Sequence, residues 1–444
     1  MKEKLFGTDG VRGVFGVDLT TDLATKLATA FGIFTKEKIE NPQIMIATDT
    51  RVSKGQLTEA VCKGLMSMGI APKVAHILPT PAVHVLIKRG YADFGVMITA
   101  SHNPSEYNGL KFINHSGDYT TDEEEEEIED IFYNLSTYPK TETTEKPQFV
   151  DYEQAFIDIE KNGILQKLDG TKICLDCANG ATYHVARQLF ELTGATVETI
   201  FTESDGTNIN RDCGSTHLEN LVKYMKENPD TKIGFAFDGD GDRMLAVYQG
   251  GRILEGDEMM FLDAYYYHKK GILKHDTIAT NLVTNMGIDL SLKKLGINVE
   301  RVNIVGGKPL QDIMINKGLN LVAEDNGHIS FGDFGTCSDG LMSGITMCNM
   351  IADGIDIEET LKLYHPLFQG KLNYKLKYKD STLCSNPELQ EMISHAQQTN
   401  ENLRVVLRPS GTEPLIRIMV EGENEEICNT IAQELFDKLS QLQQ

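Results

Sequence analysis

Three aspartates, Asp238, Asp240 and Asp242, stand at alternate positions in the stretch FDGDGDRM, with a glycine in each gap. Glycine has no Cβ and lets the backbone curl, so the three carboxylates can meet at one point. Carboxylates held that close repel strongly, and a cation is expected among them. Hard oxygen donors favour Mg²⁺ or Ca²⁺. The spacing imitates the start of an EF-hand loop. However, Arg243 stands where that loop needs glycine and Gln249 where it needs a bidentate glutamate. Mg²⁺, which keeps few protein ligands and shares its shell with phosphate oxygens, fits better. Without a cation the stretch would be an acidic surface turn.

Three other stretches could carry chemistry. TASHNPSEYNGLKF centres on Ser101, with Gly and Pro to fix the backbone and Lys111 to supply charge. It is not a hydrolase elbow, because G-x-S-x-G is absent, and His102 is too close in sequence to serve as a triad base. RPSGTEPLIR offers Arg408 and Arg417, the hydroxyls of Ser410 and Thr412, and backbone N–H groups around Gly411. Arginine forks and converging N–H groups suit a phosphate. AEDNGHIS offers Glu324, Asn326 and His328, a set suited to sugar hydroxyls. Each stretch alone could be an ordinary turn. A nucleophile, a cation site, a hydroxyl-binding loop and an anion loop together are what phosphoryl transfer uses.

The elements that must position these loops repeat three times. QIMIA, KVAHI and FGVMIT read as strands separated by helices, and Ser101 follows the last of them. KICLD, TVETI and IGFAF do the same before Asp238, and TIATN, VERVNI and LNLVA before Glu324. Alternating strands and helices predict α/β units with largely parallel sheets. Ligands bind such sheets beyond the carboxyl ends of strands, so function is expected in these three loops, which can converge only if the units face a common cleft. The last segment reads as a small α+β unit. Its terminal helix, Glu425 to Leu442, is expected to bury Ile427, Ile431, Leu435 and Leu439 on one face. The breaks suggest units 1–148, 149–250, 251–368 and 369–444.

The 444 residues suffice for several cores. A net charge of −23 argues against nucleic-acid or anionic-membrane partners, so an acidic substrate would need a local basic pocket. The run Glu123 to Glu127 is expected to be a solvated helix face. No apolar run approaches a membrane span, and the first residues lack a secretory pattern. Cys174 and Cys177 form a C-x-x-C with no second pair to complete a zinc site. Scattered cysteines then point to a reducing cytoplasm.

FGTDGVRG, TASHNPSEYNGLKF, DGDGDR and RPSGTEPLIR together resemble the α-D-phosphohexomutase family, along the full length of the chain. The stretch from Asn208 to His217, NINRDCGSTH, is similar to its bacterial amino-sugar branch. The resemblance implies three related α/β domains with mixed, largely parallel sheets and a small C-terminal α+β domain around a central cleft. It implies a phosphorylated Ser101, and one Mg²⁺ per chain held by Ser101, Asp238, Asp240 and Asp242. Lys111 and Arg12 would take acid–base and orienting roles, and His102 would support the serine loop. Arg243, Lys308, Glu324, Asn326 and His328 would meet the substrate, with the free phosphate on Arg408, Ser410, Gly411, Thr412 and Arg417. A homodimer would also resemble the family.

The implied reaction interconverts glucosamine 6-phosphate and glucosamine 1-phosphate through a sugar bisphosphate, with a sugar 1,6-bisphosphate as primer. Two regions depart from the family pattern. The sugar loop has Asp325 and Asn326 in place of Gln and Ser, and Gly307, Lys308, Pro309 and Leu310 replace Asp, Arg, Tyr and Val. Both lie in the third unit, which selects the sugar. Mannose, glucose or acetylglucosamine phosphates are therefore alternative substrates. A phosphosugar-binding paralogue without turnover is the alternative of a different class.

Overall fold

The computed structural model describes residues 4–7, 10–377, 381–410 and 414–443. The first unit holds strands β1 (Val11–Val14), β2 (Ile44–Thr48), β3 (Lys73–Ile77), β4 (Phe94–Ile98), β5 (Tyr107–Ile113) and β6 (Gln148–Phe149). Its helices are α1 (Thr21–Lys38), α2 (Lys54–Met66), α3 (Thr80–Lys88) and α4 (Asp122–Tyr133). Strands β2 and β4 are buried along their whole length, as strands covered by helices on both faces must be. The sheet order is β1-β5-β4-β2-β3-β6.

The second unit carries α5 (Glu153–Glu160), β7 (Lys172–Asp176), α6 (Val185–Glu191), β8 (Thr196–Ile200) and α7 (Glu219–Glu227). It ends with β9 (Thr231–Phe237), β10 (Met244–Tyr248) and β11 (Arg252–Leu254), in the order β11-β10-β9-β7-β8. The third carries α8 (Gly256–Lys269), β12 (Thr277–Asn281), α9 (Gly287–Lys294), β13 (Asn298–Val302), α10 (Gly307–Lys317), β14 (Leu321–Ala323), β15 (Ile329–Phe331), α11 (Gly340–Ala352) and α12 (Ile357–Leu361). Its sheet order is β13-β12-β14-β15.

All three sheets share one plan. A first strand lies parallel between two neighbours: β2 between β3 and β4, β7 between β8 and β9, β12 between β13 and β14. The last of these parallel strands then returns antiparallel, as β5, β10 or β15. The loops of Ser101, Asp238 and Glu324 are therefore each the turn of a hairpin at the carboxyl end of a parallel strand. The sheets are mixed, largely parallel, as expected.

The fourth unit is β16 (Phe368–Lys375), α13 (Pro387–Thr399), β17 (Arg404–Pro409), β18 (Leu415–Gly422) and α14 (Glu425–Leu442), with an antiparallel sheet in the order β16-β18-β17. Helix α14 spans the expected residues but buries Cys428, Ala432, Leu435 and Leu439, leaving Ile427 exposed. A strict four-residue spacing drifts about 40° per step around a helix of 3.6 residues per turn, so the expected stripe could not stay on one face. The acidic helix α4 differs too. Four of its five glutamates in the run reach solvent, but Glu125 is buried and its carboxylate lies 3.1 Å from Lys308 Nζ on α10.

One apolar core runs through all three α/β units, from Met45 and Leu78 through Phe190 and Phe235 to Phe261 and Met350. The far side of the first sheet has its own core, where Phe31 meets Phe34, Phe94 and Phe112. The fourth unit packs a separate core around Ile416, Ile418, Val420 and Leu435. Cys174 and Cys177 are both fully buried, and no cysteine among the described residues is in a disulfide. No helix among the described residues is long and apolar enough to cross a membrane.

Candidate phosphoryl-transfer site

Strand β4 delivers Ser101 three residues beyond its end, where the backbone turns left-handed at φ 52°. Strand β9 delivers Asp238 immediately beyond its end. The two loops meet: Ser101 Oγ donates to Asp238 Oδ2 at 2.6 Å, with both side chains buried. Asp240 and Asp242 turn inward beside Asp238, and one carboxylate oxygen from each of the three lies within 4.8 Å of the others. Gly241, at φ 74°, makes the curl; a Cβ there would meet Thr182 Cγ2 at 2.5 Å.

Lys111 enters from β5. Its Nζ donates to Asp240 Oδ2 at 2.7 Å and Asp242 Oδ2 at 2.9 Å. Thr80, at the start of α3, donates to Asp240 Oδ2 at 2.6 Å. The other Asp240 oxygen is buried and has no hydrogen-bond partner among the described residues. Burial and the neighbouring Asp242 and Asp240 carboxylates together hold Asp238 well above the usual carboxylate range. Burial acts to raise Asp242 as well, but Lys111 and His328 outweigh it and hold it well below that range. Three buried carboxylates, an orphan oxygen and a hydroxyl on one point are a donor set that fits a hard divalent cation.

The third unit closes the site. His328 Nε2 lies 2.8 Å from Asp242 Oδ1 and its Nδ1 2.9 Å from Glu324 Oε2. Burial opposes charge on this ring, yet the carboxylates on both nitrogens raise its pKa to about 9. The ring is therefore an imidazolium that donates twice. The Arg243 Nε, 3.0 Å from Nε2, is then a close cation and not a donor to that nitrogen. Burial would raise Glu324, but His328 and Asn281 Nδ2 draw it down to about 2. Gly327, at φ 88°, brings the sugar loop against the metal loop, where a Cβ would strike Met244 O at 2.4 Å. Burial, then Arg243 and Arg12, lower His102 to about 4, and its Nδ1 lies 3.3 Å from Ser101 Oγ.

Ser101, His102, Lys111, Asp238, Asp240, Asp242, Arg243, Glu324 and His328 thus form one connected cluster. Arg12 lies on β1 opposite Gly109, and its charge reaches His102. Asn326 Oδ1 accepts from His328 N at 3.1 Å and shapes the sugar loop. Lys308 is placed elsewhere: its Nζ lies 2.7 Å from Asp122 and 3.1 Å from Glu125, between the first and third units. Arg408 and Arg417 face each other across β17 and β18. Burial and Arg417 lower Arg408, and the Asp325 carboxylate of the sugar loop pulls it back. Like charges opposed on neighbouring strands are unfavourable unless an anion joins them. Ser410 is buried at the end of that ribbon; Gly411 and Thr412 lie outside the described residues.

Four contributors were not singled out by sequence: Thr80 and Asn281 above, and Arg51 and Asn210, whose side chains bind the serine loop. Arg51 and Asn281 lie at or just past the carboxyl ends of β2 and β12. Scanning every strand end, and not only the third of each unit, would have found them. Asn210 sits in a long irregular loop without a periodic signal.

Family models for the four phosphoglucomutase/phosphomannomutase domains match in order. The alpha/beta/alpha domains I, II and III match residues 3–139, 147–251 and 255–367, and the C-terminal domain matches 375–438. A phosphoglucosamine mutase of Ruminiclostridium cellulolyticum is 38% identical over 444 residues, covering 97% of this chain and 98% of its own. In fold, the chain is similar to a phosphoglucomutase/phosphomannomutase family protein of Burkholderia thailandensis, with TM-score 0.82, 21% identity and coverage of 99% and 97%. The N-acetylphosphoglucosamine mutase of Aspergillus fumigatus, solved in complex with GlcNAc-6P and magnesium, superposes with TM-score 0.65 and 17% identity over 99% and 96% of the two chains.

Proposed function

Because this chain belongs to the phosphoglucomutase/phosphomannomutase family, we propose that it interconverts glucosamine 6-phosphate and glucosamine 1-phosphate through a phosphorylated Ser101. The observation that carries the chemistry is the buried Ser101 Oγ, 2.6 Å from Asp238 in the carboxylate cluster. The phosphoglucosamine mutase matched end to end supports the amino-sugar substrate. The division at about 148, 250 and 368 is part of this reading.

In the first transfer the hydroxyl on C1 of the 6-phosphosugar attacks phosphorus on Ser101. The P–Oγ bond breaks and the P–O1 bond forms, giving a bound bisphosphate. Lys111 gives a proton to Oγ as it departs and regains one from the sugar hydroxyl, so protons balance. The bisphosphate turns around in the cleft. Ser101 then takes the phosphoryl group from O6 by the reverse chemistry and leaves the 1-phosphate. A magnesium ion held by Asp238, Asp240, Asp242 and Ser101 would offset the charge spread over the phosphoryl oxygens. His102, kept neutral, supports the serine loop, and Arg12 orients the group in transfer. Glu324 and Asn326 accept from sugar hydroxyls and Arg243 donates, while His328, its two N–H groups given to Asp242 and Glu324, fixes the sugar loop under the substrate. Arg408, Ser410, Gly411, Thr412 and Arg417 hold the phosphate that is not reacting. Burial of the serine keeps water from the phosphoenzyme. A sugar 1,6-bisphosphate primes the dephosphorylated enzyme.

Lys308 favours a second substrate reading, the same chemistry on another hexose phosphate, because its pairing with Asp122 and Glu125 takes it away from the sugar loop. Incubation with Mg²⁺, a trace of sugar 1,6-bisphosphate and glucosamine 6-phosphate, followed by ³¹P NMR, separates the readings. Glucosamine 1-phosphate forms, and Ser101→Ala abolishes it. Turnover of mannose or glucose 6-phosphate alone moves the substrate and keeps the mechanism. No turnover with verified phospho-Ser101 overturns the catalytic reading.

A further inference from the structure

Ser101 has an energetically unfavourable backbone. A side-chain-bearing residue at φ 52° crowds its Cβ, and such residues persist only where the surroundings hold them. Here the hold is on the main chain. The Ser101 carbonyl oxygen accepts from Arg51 Nη2 at 2.9 Å and from Asn210 Nδ2 at 2.9 Å. Two donors from different units therefore converge on one oxygen.

Arg51 is fully buried and spends its guanidinium on this loop. Beyond Ser101 it donates to the carbonyls of Asn103 and Tyr107, at 2.8 and 3.0 Å, and to that of Pro104. Its Nε donates to Asp49 Oδ2 at 2.9 Å, which also accepts from Thr99 Oγ1 at 2.7 Å. Thr99 Oγ1 in turn accepts from Ser101 N at 2.9 Å. Both ends of the Ser101 peptide frame are thus tied to the Asp49–Arg51 pair. A planar fork with fixed directions is suited to this task, and an ammonium is not.

Asn210 reaches the same carbonyl from the loop between β8 and α7. It is buried, itself left-handed at φ 58°, and also donates to Asn103 O at 3.3 Å. The metal loop packs directly on this joint. A Cβ at Gly239, between Asp238 and Asp240, would lie 2.5 Å from Ser101 O and 2.8 Å from Asn210 Nδ2. The bare glycine backbone lets the metal loop lie against the clamp, so the serine and the carboxylates share one mechanical reference.

We propose that Arg51 and Asn210 are positioning residues for phosphoryl transfer: converging from two units on the Ser101 carbonyl, they hold its backbone left-handed and aim Oγ at the metal loop. The inference rests on the reading that Ser101 carries the phosphoryl group. Asn210 makes the aim of a first-unit nucleophile depend on the second unit, so nucleophile and cation site stay registered whatever the cleft does.

The test compares Asn210→Ala, Arg51→Lys and Ser101→Ala with the unaltered enzyme. It reads kcat and KM for glucosamine 6-phosphate, the single-turnover rate of Ser101 phosphorylation by sugar 1,6-bisphosphate, and the melting temperature. Small misplacement of a reacting atom costs up to about 100-fold, so Asn210→Ala and Arg51→Lys should each lower kcat and the phosphorylation rate by about 10- to 100-fold with KM within about twofold. Failure of Arg51→Lys to restore the rate, in a folded protein, supports the fork geometry over simple charge. If Ser101→Ala is inactive while folded Asn210→Ala and Arg51→Lys phosphorylate at the native rate, the inference is overturned and the Ser101 reading stands. A loss of rate that only tracks loss of folded protein also overturns it. Activity in Ser101→Ala overturns the underlying reading instead. Should Arg51→Lys not fold, Asn210→Ala decides alone.

Discussion

At the scale of single residues, the site is a problem of charge held out of water. Asp238, Asp240, Asp242 and Glu324 are buried with Lys111 and His328. Each carboxylate is stabilised by a named donor or by the cation its geometry invites. Thr80 is the simplest of these donors, since it is fully buried and its hydroxyl meets Asp240 Oδ2 at 2.6 Å. Thr80→Val keeps the shape and removes the donor. Hydrogen bonds to charged groups contribute about 1.5–3 kcal/mol, so chemical denaturation should show a loss in that range for the metal-free protein. The loss should shrink when Mg²⁺ is added, because the cation takes over the neutralisation of Asp240. Comparing denaturation with Mg²⁺ and with EDTA checks both parts.

At the scale of elements, the hairpin plan explains why the loops can carry so much. A turn between a buried parallel strand and its antiparallel return is anchored by ladder hydrogen bonds on both sides, so its side chains are aimed by rigid strands. The return strand also contributes directly, as Lys111 on β5 does. Helix α14 shows the complementary case, an element whose existence is local but whose inward face is not. Ala432 is buried on that face and Ile427 is exposed. An unpaired charge inside an apolar core costs several kcal/mol, so Ala432→Asp should destabilise the fourth unit by about 3–5 kcal/mol. Ile427→Asp should change its unfolding by less than about 0.5 kcal/mol. Denaturation followed by hydrogen exchange across 415–442 distinguishes the two faces.

At the scale of the whole molecule, the first three units share a continuous core, while the fourth keeps its own and docks through polar contacts. Arg404 and Glu421 pair on β17 and β18, and Arg404 Nη2 donates to Thr284 O while Glu421 accepts from Met286 N. The first and third units also meet at Lys308, whose partner Glu125 is buried. Burial holds Glu125 above the usual carboxylate range, although Lys308 pulls it down. A carboxyl raised in the folded state favours folding when protonated, and that advantage is lost as pH rises through its folded pKa. Lys308→Ala removes the opposing pull. Its destabilisation should therefore be small at pH 5 and grow toward pH 8, by about 1.4 kcal/mol for each pKa unit that Glu125 moves. Urea titrations at the two pH values check the sign.

The sequence by itself pointed to the residues proposed to carry the chemistry and to the elements that lead to them. The spacing of Asp238, Asp240 and Asp242 and the strand before each loop are short-range patterns, set by glycine freedom and hydrophobic periodicity. The alternation of strands and helices likewise fixed the α/β class of three units. Only the tertiary structure decided what crosses between units. The contacts of Ser101 with Asp238, of Asp242 with His328, and of Arg51 and Asn210 with the Ser101 carbonyl join residues 50 or more positions apart. The burial of Glu125 under Lys308 and the inward face of α14 were decided in the same way. Such contacts follow from how sheets and cores pack, and a single chain carries no local signal for a partner that distant.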